Sequence, residues 1–307
     1  MKLKIGTDCS GIEAPIQALQ QLGIPFEHKW SCEIDKFARQ SIEANYTPEI
    51  IFTDITQRDH TQLPDIDLYV CGFPCQPFSL MGLKRGTDDP RSNIMIQCIQ
   101  TIRSKLPNLF ILENVKNFKF IQNGEPFNYL IDELNKFGCY NIYHDLLNTK
   151  NYGIPQNRER IFIIGIKKEI QLEEYRTPAK LQMKPLDEFI IDKTIHDNGR
   201  VISDSHNNNL KKIIGNKQNY VVTPFTYYFP IKNISPTLIT NCSCYYLTTY
   251  KRCLTSKECL LLQGFSPNFN QTVSNKQIYR QAGNSMSVCV VKELIKKLVT
   301  ITLYNDL

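Results

Sequence analysis

The segment Gly72-Phe73-Pro74-Cys75-Gln76-Pro77-Phe78-Ser79 sets one cysteine in a tight loop between two prolines. At the end of a strand, such a loop holds the thiol exposed, and nearby backbone amides favour the thiolate, the nucleophilic form. A cysteine met alone is more often buried and inert, so the reading depends on what accompanies Cys75. Upstream, Thr7-Asp8-Cys9-Ser10-Gly11-Ile12-Glu13-Ala14-Pro15 places small residues where a strand should meet a helix, a turn whose backbone can approach a nucleotide closely. Glu33, roughly 20 residues on, ends the next predicted strand, where an acid can take both hydroxyls of a ribose. Asp54 ends the strand after that and suits the exocyclic amine of adenine. Either carboxylate by itself is more often a helix cap; together, above one sheet edge, they point to an adenosine-bearing ligand.

These groups need a scaffold that brings strand ends together. From residue 3 to residue 172 short apolar runs alternate with amphipathic stretches, the pattern of an α/β, doubly wound, Rossmann-like sheet. Strands are predicted at 3–7, 28–32, 50–53, 68–71 and 109–112, with 141–147 and 161–166 as an antiparallel hairpin closing the sheet. Helices are predicted after the first turn, where Ile12, Ile16 and Leu19 recur at helical spacing, and at 35–45, 92–105 and 127–137. After Lys167 the texture changes to Asn, Lys, Thr and Tyr with weak periodicity. Lys180, Lys184, Arg200, Lys211, Lys212, Lys217, Lys251 and Arg252 outnumber the acids there and are interleaved with tyrosines such as Tyr220, Tyr227, Tyr245 and Tyr250. Basic side chains among aromatics suit a nucleic-acid face, although a small solvated lobe with a tyrosine-rich core would read the same way. Helical patterning returns at 257–263 and 287–298. The expected division is 1–174 for the sheet domain, 175–255 for a second, smaller lobe, and 256–307 for a segment returning to the first.

Bulk properties narrow the classes. The 307 residues are 42% hydrophobic, enough for a large core, and no apolar run approaches the roughly 20 residues of a membrane span. The N-terminus reaches Thr7-Asp8 before the apolar core of a signal peptide could form, so an intracellular protein is expected, in cytoplasm or nucleoid, or in the nucleus of a eukaryote. Eleven scattered cysteines read as reduced thiols. Neither Cys71 with Cys75 nor Cys242 with Cys244 has a matching second pair at zinc-site spacing, so no metal is expected. A net charge of +6 permits a polyanionic partner without demanding one.

Two further blocks decide the reading. Glu113-Asn114-Val115 follows the fifth predicted strand, and Gln156-Asn157-Arg158-Glu159-Arg160 precedes the last. With Pro74-Cys75 ahead of them, and Pro236-Thr237-Leu238-Ile239-Thr240 and Gln281-Ala282-Gly283-Asn284-Ser285 behind, the chain resembles the DNA cytosine-5 methyltransferase family, whose blocks occur in this order and spacing. The resemblance runs from residue 7 to about 290, leaving only the small lobe unmatched.

The resemblance implies S-adenosylmethionine as cofactor and duplex DNA as substrate, with the small lobe as target-recognition domain. Cys75 would add to carbon 6 of a flipped-out cytosine, Glu113 would meet ring nitrogen 3, and Arg160 would donate to the carbonyl oxygen. Asn114 would fix the loop, Arg158 would orient acidic groups or phosphate, and the segment 82–91 would close over the base. Cofactor contacts would come from Asp8, Cys9, Ser10, Gly11, Glu13, Glu33, Ile34, Asp54, Ile55, Asn284 and Ser285, and substrate contacts from Pro74, Gln76, Ser79, Gln156 and Thr237. Polar residues near 198–209 and 241–246 are candidates for base readout. A one-lobe reader needs no two-fold partner, so a monomer is expected. Cys9, Glu13 and Ile34 depart from the family pattern, leaving fewer rings to stack on adenine. Two alternatives share many of these residues: a tRNA cytosine-5 methyltransferase, which would carry a second proline where Phe73 stands, and a non-catalytic DNA-binding relative, which would have lost Cys75, Glu113 or Arg160. A thiol-disulfide enzyme using Cys71 and Cys75 has the wrong spacing.

Overall fold

Leu68–Cys71 is buried at all four positions, as a strand covered on both faces must be. In the computed structural model, which describes residues 2–74, 92–195, 218–223 and 230–307, it is the centre of a mixed sheet. The strands are β1 (Leu3–Asp8), β2 (Phe26–Cys32), β3 (Ile50–Phe52), β4 (Leu68–Cys71), β5 (Leu109–Val115) and β6 (Tyr140–Asn148), with β7 (Gln156–Asn157) outside this sheet and β8 (Glu159–Lys167) within it. Their order is β3-β2-β1-β4-β5-β8-β6. The first five run parallel, while β8 lies antiparallel to β5 and separates it from β6. Because β1 pairs with β2 on one side and β4 on the other, the strand order reverses there, and ligands of such sheets bind outside the carboxyl ends at that point.

Helices α1 (Ala14–Leu22), α2 (Lys36–Asn45), α3 (Ser92–Lys105) and α4 (Glu125–Asn135) accompany the sheet. Asp35 caps α2 by accepting from the amides of Phe37 and Ala38. The core beneath the sheet joins Trp30, Tyr69 and Phe110 to Met95, Ile99 and Ile102 of α3 and to Phe127, Leu130 and Leu134 of α4. Gly6 makes room for Trp30: a Cβ on it would stand 2.4 Å from the indole, and the β1–β2 register shifts at this glycine.

The described chain divides into two compact units. One comprises Met1–Leu147, Glu159–Ala179 and Val290–Leu307; the other comprises Asn148–Arg158 and Lys180–Cys289. Residues 256–289 therefore group with the second unit, and only the chain from Val290 groups with the sheet. The second unit holds β7 paired in parallel with β10 (Ser235–Pro236), and a small sheet of β9 (Val221–Val222), β11 (Tyr246–Leu247) and β12 (Arg252–Cys253). It also holds α5 (Ser256–Leu262) and α6 (Asn275–Asn284), while α7 (Val288–Thr300) leads back into the first unit. Helix α6 was not expected from the sequence. Among the described residues no helix is long and apolar enough to cross a membrane.

A buried ion pair staples the second unit. Glu258 is fully buried, closes a capping box with Thr255, and accepts from Arg252 Nη2 at 2.6 Å and from the amide of Ile191 at 2.9 Å. Burial pushes its carboxyl up, but Arg252 and the backbone amides outweigh burial and hold it below the usual carboxylate range. A depressed folded-state pKa means stability that is present above the unfolded pKa and is lost as pH falls through the folded value. Glu258→Gln is expected to cost about 1.5–3 kcal/mol at neutral pH, the range for hydrogen bonds to charged groups. Thermal melts should show that difference shrinking in acid.

Candidate active site

Three of the five residues from Cys9 to Glu13 have left-handed backbone: Cys9 at φ 48°, Gly11 at 55° and Glu13 at 62°. For the two non-glycines that conformation costs roughly 1–2 kcal/mol each, so tertiary bonds must hold it. Ser10 supplies some: its amide donates to Cys32 O at 3.1 Å, and its Oγ accepts from the Cys32 amide at 3.0 Å. Glu13 supplies others from below. It is completely buried, and its Oε1 accepts from Thr7 Oγ1 and Ser31 Oγ, both at 2.6 Å, with His28 Nε2 at 3.4 Å.

Glu33 stands over the turn. Its Oε2 accepts from the amide of Gly11 at 2.8 Å and its Oε1 from the amide of Asp35 at 2.9 Å. Burial raises its carboxyl above the ordinary value, opposed by those two amides. Ile34 beside it is 75% exposed, whereas Ile55 is buried. Asp54 caps the short turn Ile55–Gln57 through one oxygen, Oδ1, which accepts from the amide and hydroxyl of Thr56, each at 2.8 Å. Cap and ligand acceptor are thus compatible roles for this residue.

Asp8 and Glu13 need correction as cofactor-lining side chains. Asp8 is 1% exposed, and its carboxylate accepts from Trp30 Nε1, Tyr69 Oη and both Nη atoms of Arg58. Glu13 is enclosed as described. Both carboxylates are taken up by partners on the neighbouring strands and, for Asp8, by Arg58.

At the ends of β4, β5 and β8 a second group assembles. Phe73 is buried with its ring edge-on to Phe118 at 5.3 Å, and Pro74 is exposed. Asn114 Nδ2 donates to the carbonyl of Phe73 at 3.0 Å, fastening the chain two residues ahead of Cys75. Cys75, Gln76, Ser79 and the segment 82–91 lie outside the described residues, as do 198–209. The β5–β8 register pairs Glu113 with Phe162 and Val115 with Arg160, which makes Glu113 and Arg160 diagonal neighbours on one face. Arg160 Nε lies 3.3 Å from Glu113 Oε1, with both side chains largely shielded. Cys71 touches Cys98, Sγ to Sγ 3.2 Å, and burial pushes its thiol well above the ordinary value, which argues against a thiol-disulfide couple at this strand end.

The remaining motif residues lie in the second unit, where several serve structure. Arg158, 2% exposed, donates to the carbonyls of Leu238 at 2.9 Å, Gly283 at 3.2 Å and Ser285 at 2.7 Å. It therefore clamps two backbone segments instead of orienting acids or phosphate. Gln156, expected at the substrate, is fully buried, donating to Leu262 O and accepting from the amide of Leu238. Thr237 donates to Asn157 O at 2.6 Å. Gly283 admits the same contact: a Cβ there would stand 2.2 Å from the Ile239 backbone. Ser285 is buried, and Asn284 is exposed at the end of α6. Arg58, Trp30 and Tyr69 were not anticipated at the site; the only sequence signal was a basic residue four positions after Asp54.

A mixed sheet whose order reverses at β1, with acids over the ends of β2 and β3 and with β8 inserted antiparallel beside β5, is that of an α/β methyltransferase fold. Solved structures agree: the chain superposes on the S. pombe Dnmt2 methyltransferase with a TM-score of 0.71 at 17% identity, covering 97% of this chain and 98% of that one. It matches the Entamoeba histolytica methyltransferase EhMeth with a TM-score of 0.71 at 18% identity, covering 97% and 98%. At such identities the likeness speaks for the fold. Residues 7–300 match the model of the C-5 cytosine-specific DNA methylase family, and the chain belongs to that family. It is 33% identical over 284 residues to the Type II methyltransferase M1.ScrFI of Lactococcus lactis subsp. cremoris, spanning 89% of this chain and 72% of that one. To M.SsoII of Shigella sonnei it is 34% identical over 285 residues, spanning 88% and 73%.

Proposed function

We propose that the chain transfers a methyl group from S-adenosylmethionine to carbon 5 of a cytosine flipped out of duplex DNA, through a transient bond from Cys75 to carbon 6. The observation that carries this reading is the junction of β4, β5 and β8: Glu113 and Arg160 are 3.3 Å apart, and Asn114 between them in sequence holds Phe73, two residues before Cys75.

The residues present fit the cofactor. A Cβ on Gly11 would meet nothing within 4 Å, so the turn opens onto free space. Glu33 offers a carboxylate to ribose hydroxyls, Asp54 one to an exocyclic amine, and exposed Ile34 an apolar face to a planar base. When bound, S-adenosylmethionine supplies a methyl group on a sulfonium. The chain's own residues prepare the acceptor. Addition of the Cys75 thiolate to carbon 6 moves electron density toward ring nitrogen 3, where Glu113 provides a proton, while Arg160 donates to the carbonyl oxygen. With the methyl group on carbon 5, transfer of that carbon's proton to water, departure of Cys75 and return of the nitrogen 3 proton to Glu113 restore the aromatic ring, the acid and the free thiolate. None of these groups reaches a stacked base, so flipping costs a few kcal/mol that contacts to phosphate must offset, in keeping with the net charge of +6. The second unit is the natural reader of flanking sequence.

Incubation with methyl-labelled S-adenosylmethionine, offering unmethylated duplex DNA and tRNA separately, tests the reading. Label is expected on DNA as 5-methylcytosine, with bisulfite sequencing locating the site. Label on tRNA alone, or on neither substrate despite bound cofactor, would overturn it.

Glu33 also predicts a pH dependence. Its ionised form accepts from the ribose, and a raised pKa means that protonation sets in at higher pH than for an ordinary glutamate. Cofactor affinity by calorimetry is therefore expected to fall on mild acidification. In Glu33→Gln it should be roughly ten- to hundredfold weaker at neutral pH, the equivalent of about 1.5–3 kcal/mol for a charged hydrogen bond.

A further inference from the structure

Beneath the two cofactor turns lies an ion pair that the reaction itself does not use. Asp8 and Arg58 have side chains 0% and 4% exposed. Asp8 ends β1, directly before the turn that carries Gly11; Arg58 follows the turn capped by Asp54. Arg58 Nη1 donates to Asp8 Oδ1 at 2.6 Å, and Nη2 donates to Asp8 Oδ2 and, at 3.0 Å, to Thr101 Oγ1 of α3. The guanidinium stands 5.8 Å from the ring of Trp30 on β2 and 5.4 Å from that of Phe52 on β3. Asp8 also accepts from Trp30 Nε1 at 3.1 Å and from Tyr69 Oη, on β4, at 2.6 Å. One guanidinium and one carboxylate thus tie together four strand ends and a helix.

Stability alone gives little reason for such a pair, because well-packed apolar residues of similar volume often serve as well or better in its place. What apolar residues cannot supply is a fixed, bidentate geometry. We propose that Asp8 and Arg58 are a positioning pair for the cofactor, setting the spacing between the Gly11–Glu33 turn and the Asp54 turn. The inference rests on the cofactor reading above.

The test is the double variant Asp8→Leu/Arg58→Met, which removes both charges together. S-adenosylmethionine binding is measured by calorimetry and by fluorescence of Trp30, the only tryptophan in the chain, alongside the thermal midpoint without cofactor. The expected result, at a temperature where the variant is fully folded, is cofactor affinity weaker by about tenfold or more, the scale on which small misplacements act, with a midpoint lowered because Trp30 Nε1 and Tyr69 Oη lose their acceptor. KM for the cofactor should rise by the same factor, with kcat at saturating cofactor nearly unchanged. Wild-type affinity in the folded double variant would overturn the proposal, and so would a loss of affinity confined to temperatures at which the variant is partly unfolded. Should the double variant not fold, Arg58→Lys decides. It keeps the charge and loses the fork, so weakened binding at an unchanged midpoint supports the pair, and unchanged binding refutes it. Failure of the wild type itself to bind S-adenosylmethionine would instead strike the cofactor reading.

Discussion

Methyl transfer is expected to vanish in Cys75→Ala and to fall by roughly 10²–10⁴ in Glu113→Gln, the usual range for loss of a positioned proton donor. The two should fail differently. Without the thiolate, carbon 5 of cytosine never becomes enamine-like, and nothing else in the Pro74–Pro77 loop can replace it. In Glu113→Gln the thiolate still adds, but the developing charge at ring nitrogen 3 meets an amide in place of an acid. Glu113 is 8% exposed and placed by the β5–β8 register, so the isosteric amide should leave the fold intact. Single-turnover rates with duplex DNA, together with trapping on a 5-fluorocytosine duplex, check this. The Glu113→Gln protein should still form the covalent species slowly, whereas Cys75→Ala should form none. Equal rates in wild type and Glu113→Gln would remove Glu113 from the chemistry.

The second large effect separates two arginines only two residues apart. Arg158→Met is expected to destabilise the protein by on the order of 3–5 kcal/mol, because the carbonyls of Leu238, Gly283 and Ser285 lose their donor. Arg160→Lys, which keeps a cation beside the shielded Glu113 and touches none of the clamped carbonyls, should cost clearly less stability than Arg158→Met while lowering turnover strongly. Urea unfolding and methyl-transfer rates on both variants give the comparison. A stable Arg158→Met protein with slow chemistry would reverse the assignment of the clamp.

Much of the scaffold was legible because it depends on local pattern. The predicted ends of 68–71 and 92–105 coincide with β4 and α3, and the helix predicted at 35–45 is α2 with Asp35 as its cap. Helix α6 escaped because few of its residues are apolar. Its burial of Ile278, Gln281 and Ala282 depends on contacts with the rest of the second unit. The predicted hairpin does not show from sequence that its second strand, β8, would insert beside β5, yet that insertion brings Arg160 to Glu113.

By itself, then, the sequence determined the parallel sheet, the family, and the order in which Cys75, Glu113 and Arg160 occur, since periodicity, turn residues and motif spacing are written along the chain. Tertiary structure decided which charged side chains are enclosed by partners and which stay partly open. Asp8 and Glu13 read like Glu33, and Arg158 like Arg160, until partners distant in the chain claim them. Arg58 reaches Asp8 across 50 residues, and Arg158 reaches Ser285 across 127. A buried charge must find its counter-charge or its carbonyls wherever the fold puts them, and no local pattern names those partners.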